Sequence, residues 1–238
     1  GIRGLVIDMS QFASITATPQ EGRQHLVEVG AGMPVSAASA WAADHGLGGL
    51  EFIYSMPGSV AGAVWMNARC YGSEILDVLS FVDYLEPDGA LVHYEPRQVD
   101  FSYKRSPFQG TRRVMTRIGL ALVEDDPGRL WSEMRDHEQD RANKGHFSAP
   151  CAGSIFKNNR SYGAPSGVII DQLGLRGYRA GGAKVSDVHA NIVVNAGSAT
   201  AAEIRSVIEH IEETVRRERG FELEREILYV GDWGSNDQ

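Results

Sequence analysis

The chain is poor in cysteine, in positive charge and in long apolar runs. Its 238 residues include only Cys70 and Cys151, distant in sequence and outside any metal-ligand spacing. That excludes a disulfide-stapled scaffold, predicts free thiols in a reducing compartment and offers no metal site. No apolar run approaches the ~20 residues that cross a bilayer, so no membrane span is expected. Net charge is -8, which argues against a nucleic-acid partner while leaving room for a local basic cluster. Neither a Walker loop nor a GxGxxG fingerprint is present. No signal peptide is visible; the first residue is Gly1 rather than Met, which leaves room for an upstream segment.

What remains is an ordinary globular composition, 42% hydrophobic and 23% charged. Leu5-Val6-Ile7 and His25–Val29 read as strands, and Pro34–His45 as an alanine-rich helix closed by Gly46. Pro87-Asp88-Gly89 joins Phe81–Leu85 to Ala90–Tyr94 as a hairpin, and Arg113–Val123 reads as another strand. The acidic stretch Glu124-Asp125-Asp126-Pro127 marks a domain boundary. Beyond it come a charged helix over Arg129–Asn143 and a short strand over Ile192–Asn195. Thr200-Ala-Ala-Glu203 is a capping box, and it opens a helix whose stripe is Ile204, Val207, Ile208, Ile211 and Val215. Glu224–Val230 reads as a final strand. The grouping of strands and helices implies an α+β fold.

Five stretches could carry chemistry. Gly46–Glu51 with Met56–Ala63 suits a diphosphate or a flavin ribityl chain, or is simply a tight turn. Tyr103-Lys104-Arg105-Ser106 can bind a carboxylate or phosphate, or form a solvated basic turn. Cys151-Ala-Gly-Ser154-Ile-Phe-Lys157-Asn158 places a hydroxyl where it can donate a proton if activated; alone it reads as a turn before a buried strand. Gly174–Ser186 combines cations with glycines, and His189 beyond it reads as a satisfied core histidine rather than a catalyst. Glu226 alternates with apolar neighbours and faces inward or to solvent.

Taken in order, these blocks resemble the UDP-N-acetylenolpyruvoylglucosamine reductase family. The matching runs are Gly-Leu-Glu-Phe with Pro-Gly-Ser-Val and Met66-Asn67-Ala68, then Tyr103–Phe108, Ala152–Asn158, Gly174–Asn195 and Leu223–Ile227. The resemblance implies a flavin-binding domain of the vanillyl-alcohol-oxidase type over 1–125. A smaller α+β substrate domain would follow over 126–238, with a strand near 224–230 returning to the active site. It also implies FAD as cofactor, NADPH as co-substrate and a sugar-nucleotide substrate, in a cytoplasmic bacterial monomer. By position, Ser154 matches the proton donor, Glu226 the assisting carboxyl group and Lys104 the cation at the substrate carboxylate. Gly49, Pro57, Gly58, Ser59, Val60, Gly62 and Asn67 match the cofactor contacts. Tyr103, Arg105, Lys157, Asn158, Arg179 and His189 match the substrate contacts.

The chain departs from the pattern in places. The family has arginine where Lys104 stands; Arg105 is the alternative cation, on the opposite face if the segment is a strand. Asn159 replaces a proline and Ala61 a glycine. The spacing from Phe108 to Ser154 matches the shorter subgroup without a tyrosine-bearing loop. The family's N-terminal βαβ subdomain has no counterpart before Gly1, so a non-catalytic sugar-nucleotide-binding remnant is a rival reading. Another flavin oxidase with a different substrate domain is a second.

Overall fold

The computed structural model describes residues 2–233. The chain divides into two compact units, Val6–Glu138 and Gly1–Leu5 with Gln139–Gln238.

The first unit contains β1 (Ile15–Pro19), β2 (Gln24–Gly30), α1 (Val35–Asp44), β3 (Leu47–Gly48), α2 (Val60–Met66), β4 (Arg69–Cys70), β5 (Ser73–Glu74), β6 (Leu79–Leu85), β7 (Leu91–Tyr94) and β8 (Val114–Glu124). Its antiparallel sheet runs β1-β2-β8-β6-β7, with β3 also on β8. The central strand, β8, shows why. Ile118, Leu120 and Leu122 alternate inward and are fully buried, each worth ~2 kcal/mol of hydrophobic stabilisation. Val27, Val29 and Val82 meet them from the neighbouring strands. On the opposite face Gly119 lies directly across from Phe81, and a Cβ at 119 would stand 2.2 Å from that ring. Helix α3 (Pro127–Asn143) follows; its Leu130 and Met134 pack on Ala43.

In the second unit, β9 (Cys151–Ser154), α4 (Ser166–Gln172), β10 (Arg179–Ala180), β11 (Ala183–Val185), β12 (Ile192–Asn195) and α5 (Ala201–Arg219) follow in order. The sheet is β10-β11-β12-β9, all antiparallel. Helix α5 covers it. Val207, Ile208, Ile211 and Val215 are fully buried, Thr200 and Glu203 form the reciprocal capping box, and Gly220 closes the helix in the left-handed region.

Two expected strands are absent among the described residues. Leu5, Val6 and Ile7 are 87%, 66% and 61% exposed and pair with nothing. The segment 224–230 makes one bridge, Arg225 with Phe156, bends at Glu226 and Ile227, and leaves Leu228 and Val230 exposed. Apolar, β-branched composition favours a strand only where a neighbouring edge is free to receive it. The α+β expectation holds, while α2, read as a glycine-serine loop, is a helix.

Candidate active site

In the first unit, the loop 56–59 leads into α2. Ser59 caps the helix, its Oγ accepting from the Gly62 amide at 3.1 Å. The next two amides are held by the chain that leaves β2: Val60 donates to Met33 O at 2.8 Å and Ala61 to Ala31 O at 3.2 Å. That chain is itself pinned. Cβ atoms at Gly30 and Gly32 would collide with the backbone of Phe12 and Met9, so the residues 9–13 lie directly on it. Pro57, Gly58 and Gly62 are exposed around the helix start, and Val60 is buried beneath them. Gly58 has φ 107°, and a Cβ there would meet nothing within 4 Å. Gly49 (φ 128°) faces inward against Leu122 and Val78.

Asn67 ends α2 in the left-handed region and is fully buried. Its Nδ2 donates to the carbonyl of Ser102 at 3.0 Å, which ties the helix end to the segment 102–105. Ser102 and Arg105 exchange backbone hydrogen bonds of 3.2 and 3.0 Å around Tyr103 and Lys104. This is a tight turn, one of the two readings open for the stretch, so the opposite-face relation that a strand would give Lys104 and Arg105 does not apply. Lys104, at φ 58°, is 9% exposed, whereas Arg105 and Tyr103 are exposed. Ser106 Oγ and Gln109 Nε2 both donate to Trp65 O, at 2.7 and 2.9 Å, and hold the turn against α2.

In the second unit, Ser154 ends β9, opposite Ile192 of β12. The residues after it leave β9 as a bend and an isolated bridge, held by hydrogen bonds on two sides. On one, Ile155 donates to Asn191 O at 2.9 Å. On the other, the Glu226 amide donates to Ile155 O at 2.7 Å, and Lys157 to Glu224 O at 2.8 Å. Lys157 Nζ also pairs with the Glu224 carboxylate at 2.8 Å. Ser154, Asn158 and His189 share the wall of a cavity of about 270 Å³, with Asp171, Arg176 and Asn191. Half-buried Glu226 is not part of that wall; its amide bonds to the carbonyl of Ile155, the residue after Ser154. Arg179 lies exposed on β10, away from the cavity wall.

Local hydrogen bonds set the cavity side chains. Asn158 Oδ1 accepts from the Ser166 amide at 2.9 Å, at the start of α4, which leaves its NH₂ as a donor. His189 Nδ1 accepts from the Asn191 amide at 3.2 Å, which fixes the tautomer with its proton on Nε2. Burial holds the His189 pKa below the usual imidazole value. Gly167 lets the ring lie against α4, since a Cβ there would be 3.0 Å from His189 Cε1. Arg176 and Asp171 form a two-point ion pair, at 2.5 and 2.8 Å. Sequence reasoning gave no role to Asn191, Asp171 or Gly167. Their partners lie too far along the chain, or depend too much on α4, for a local pattern to show them.

Known families match both parts of the chain. Residues 1–95 match the FAD binding domain, and residues 145–230 match the C-terminal domain of UDP-N-acetylenolpyruvoylglucosamine reductase. The reductase of Treponema denticola is 37% identical, over 98% of this chain and 76% of that protein. The reductase of Borreliella burgdorferi is 42% identical, over 80% of this chain and 63% of its own length. The crystal structure of UDP-N-acetylenolpyruvylglucosamine reductase from Thermus caldophilus superposes with a TM-score of 0.72 at 32% identity, covering 86% of this chain and 72% of that one.

Proposed function

Because the chain belongs to the UDP-N-acetylenolpyruvoylglucosamine reductase family, we propose that it reduces the enolpyruvyl ether of UDP-N-acetylglucosamine to UDP-N-acetylmuramate, with FAD as cofactor and NADPH as reductant. Residues 1–125 serve the flavin and residues from 126 onward the sugar nucleotide, in a monomer of the bacterial cytoplasm.

The residues present fit the cofactor. The open side of Gly58 and the exposed Pro57, just before α2, give an extended dinucleotide room to lie close. Ser59 caps α2, Val60 and Gly62 form its first turn and Asn67 closes it; with Gly49 these residues complete the cofactor contacts. When bound, FAD supplies hydride chemistry to the enol ether double bond.

The observation that carries the reading is the setting of Ser154: it lines a cavity, and the carbonyl of the next residue, Ile155, accepts the amide of Glu226. Ser154 Oγ delivers the proton that completes the saturated ether. A hydroxyl is a weak acid, and the Glu226 carboxyl group assists the transfer. Lys104 offsets negative charge at the substrate carboxylate as a point charge, without the fork an arginine would bring. Asn158 donates from its NH₂ to the substrate, and Lys157, Tyr103, Arg105, Arg179 and His189 complete the contacts to it.

A stopped-flow experiment with Ser154→Ala tests this. NADPH should still bleach the flavin absorbance, and the enol ether should no longer restore it. Full turnover by the variant would overturn Ser154 as the donor, and a protein that takes up no FAD would overturn the enzyme reading.

A further inference from the structure

Asn191 occupies a place in the second unit that no local sequence signal explains. Its carboxamide brackets the backbone of Phe156 from one side: Oδ1 accepts the Phe156 amide at 3.0 Å, and Nδ2 donates to the Phe156 carbonyl at 2.8 Å. The two bonds reproduce what a neighbouring strand would give a residue in an antiparallel ladder. They are needed because the ladder from β12 to β9 has an irregular register and ends at the Ile192–Ser154 pair. Beyond it the backbone of residue 191 supplies only its carbonyl, to Ile155 at 2.9 Å. The side chain takes over for the next residue. Asn191 is 4% exposed, and its own amide orients the His189 ring.

We infer that Asn191 is a positioning residue for proton delivery: its carboxamide holds Phe156, two residues beyond Ser154, and so aligns the segment that leads out of β9 from Ser154. The inference rests on the donor role proposed for Ser154. A buried amide that satisfies both polar groups of one residue leaves the segment no low-energy way to slide, since sliding would orphan a donor and an acceptor together. Misplacement of a reacting group by ~1 Å costs about 100-fold in rate.

The test uses Asn191→Asp and Asn191→Ser in the FAD-loaded protein. Asn191→Asp keeps the shape but sets an oxygen against the Phe156 carbonyl, and Asn191→Ser retains at most one of the two bonds. Both should leave flavin reduction by NADPH within about twofold of the parent, while reoxidation by the enol ether slows roughly 10- to 100-fold. The slowed step should acquire a larger solvent deuterium isotope effect, because proton transfer then limits it. Adding Ser154→Ala to either variant should slow reoxidation no further than Ser154→Ala alone. A further loss of the full factor in the double variant, equal slowing of both half-reactions, or unfolding and loss of flavin in both variants would each overturn the positioning role. Unimpaired reoxidation in Ser154→Ala by itself would instead overturn the donor assignment.

Discussion

The guanidinium of Arg225 holds the carboxylate of Glu212 with two nitrogens, Nε on one oxygen and Nη2 on the other, the latter at 2.6 Å. Arg225 is also the residue that bridges Phe156. The segment that carries Glu226 is therefore fastened twice, once to the segment after Ser154 and once to α5.

Glu212→Gln removes the charge and leaves a part-buried arginine with a poorer acceptor. The loss is about 1–2 kcal/mol, since Arg225 is partly solvated. The melting temperature should fall by several degrees. Reoxidation of the flavin by the enol ether should slow more than its reduction by NADPH, because Glu226 loses an anchor. An unchanged melting temperature would show that the pair does not fasten the segment.

Stability should fall in mild acid. Burial first, and then the positive charge of Arg141, push the His146 pKa down to about 4; burial also pushes His189 down. Both imidazoles titrate near 6.5 in the unfolded chain. Between about pH 6.5 and 4 the unfolded chain therefore binds more protons than the folded one, and stability declines as pH drops through that window. Near pH 7 both histidines are mostly neutral in either state, and the effect on stability is small. Urea midpoints at pH 7, 6 and 5 should descend, and His146→Asn should make the descent shallower. A wild-type midpoint that stays level would contradict the assignment.

Gly119→Ala should destabilise the first unit by about 1–3 kcal/mol through overpacking, because the new methyl meets the Phe81 ring, itself stacked under Arg117 at 5.2 Å. Combining it with Phe81→Val should recover part of the loss. A double variant no more stable than Gly119→Ala alone would place the strain elsewhere.

The elements legible in the sequence are those whose cause is local. The capping box of Thr200 and Glu203, the apolar stripe of α5 and the turn at Pro87-Asp88-Gly89 each contain their own reason within a few residues. Helix α2 was hidden because Gly58, Gly62 and Ser59 resemble a loop, whereas its first turn is held by carbonyls from residues 31 and 33. The turn at Lys104 is legible as a basic turn, but its backbone geometry is not. The left-handed backbone of Lys104 is imposed by bonds from Gln109 and Asn67 to the turn, not by its own preference. Within the candidate site, the hydroxyl of Ser154 and the amide of Asn158 were visible as motif residues. The Asn191 clamp spans 35 positions, and no periodicity announces a side chain that replaces a backbone.

That replacement has a consequence for engineering. A strand held only by its neighbours' main chains moves only when the chain around it is rebuilt. The stretch after Ser154 takes part of its alignment from one carboxamide, so a single codon reaches it. Graded substitutions at position 191 form a dial on the placement of that stretch, set independently of every residue that meets the substrate through its own charge.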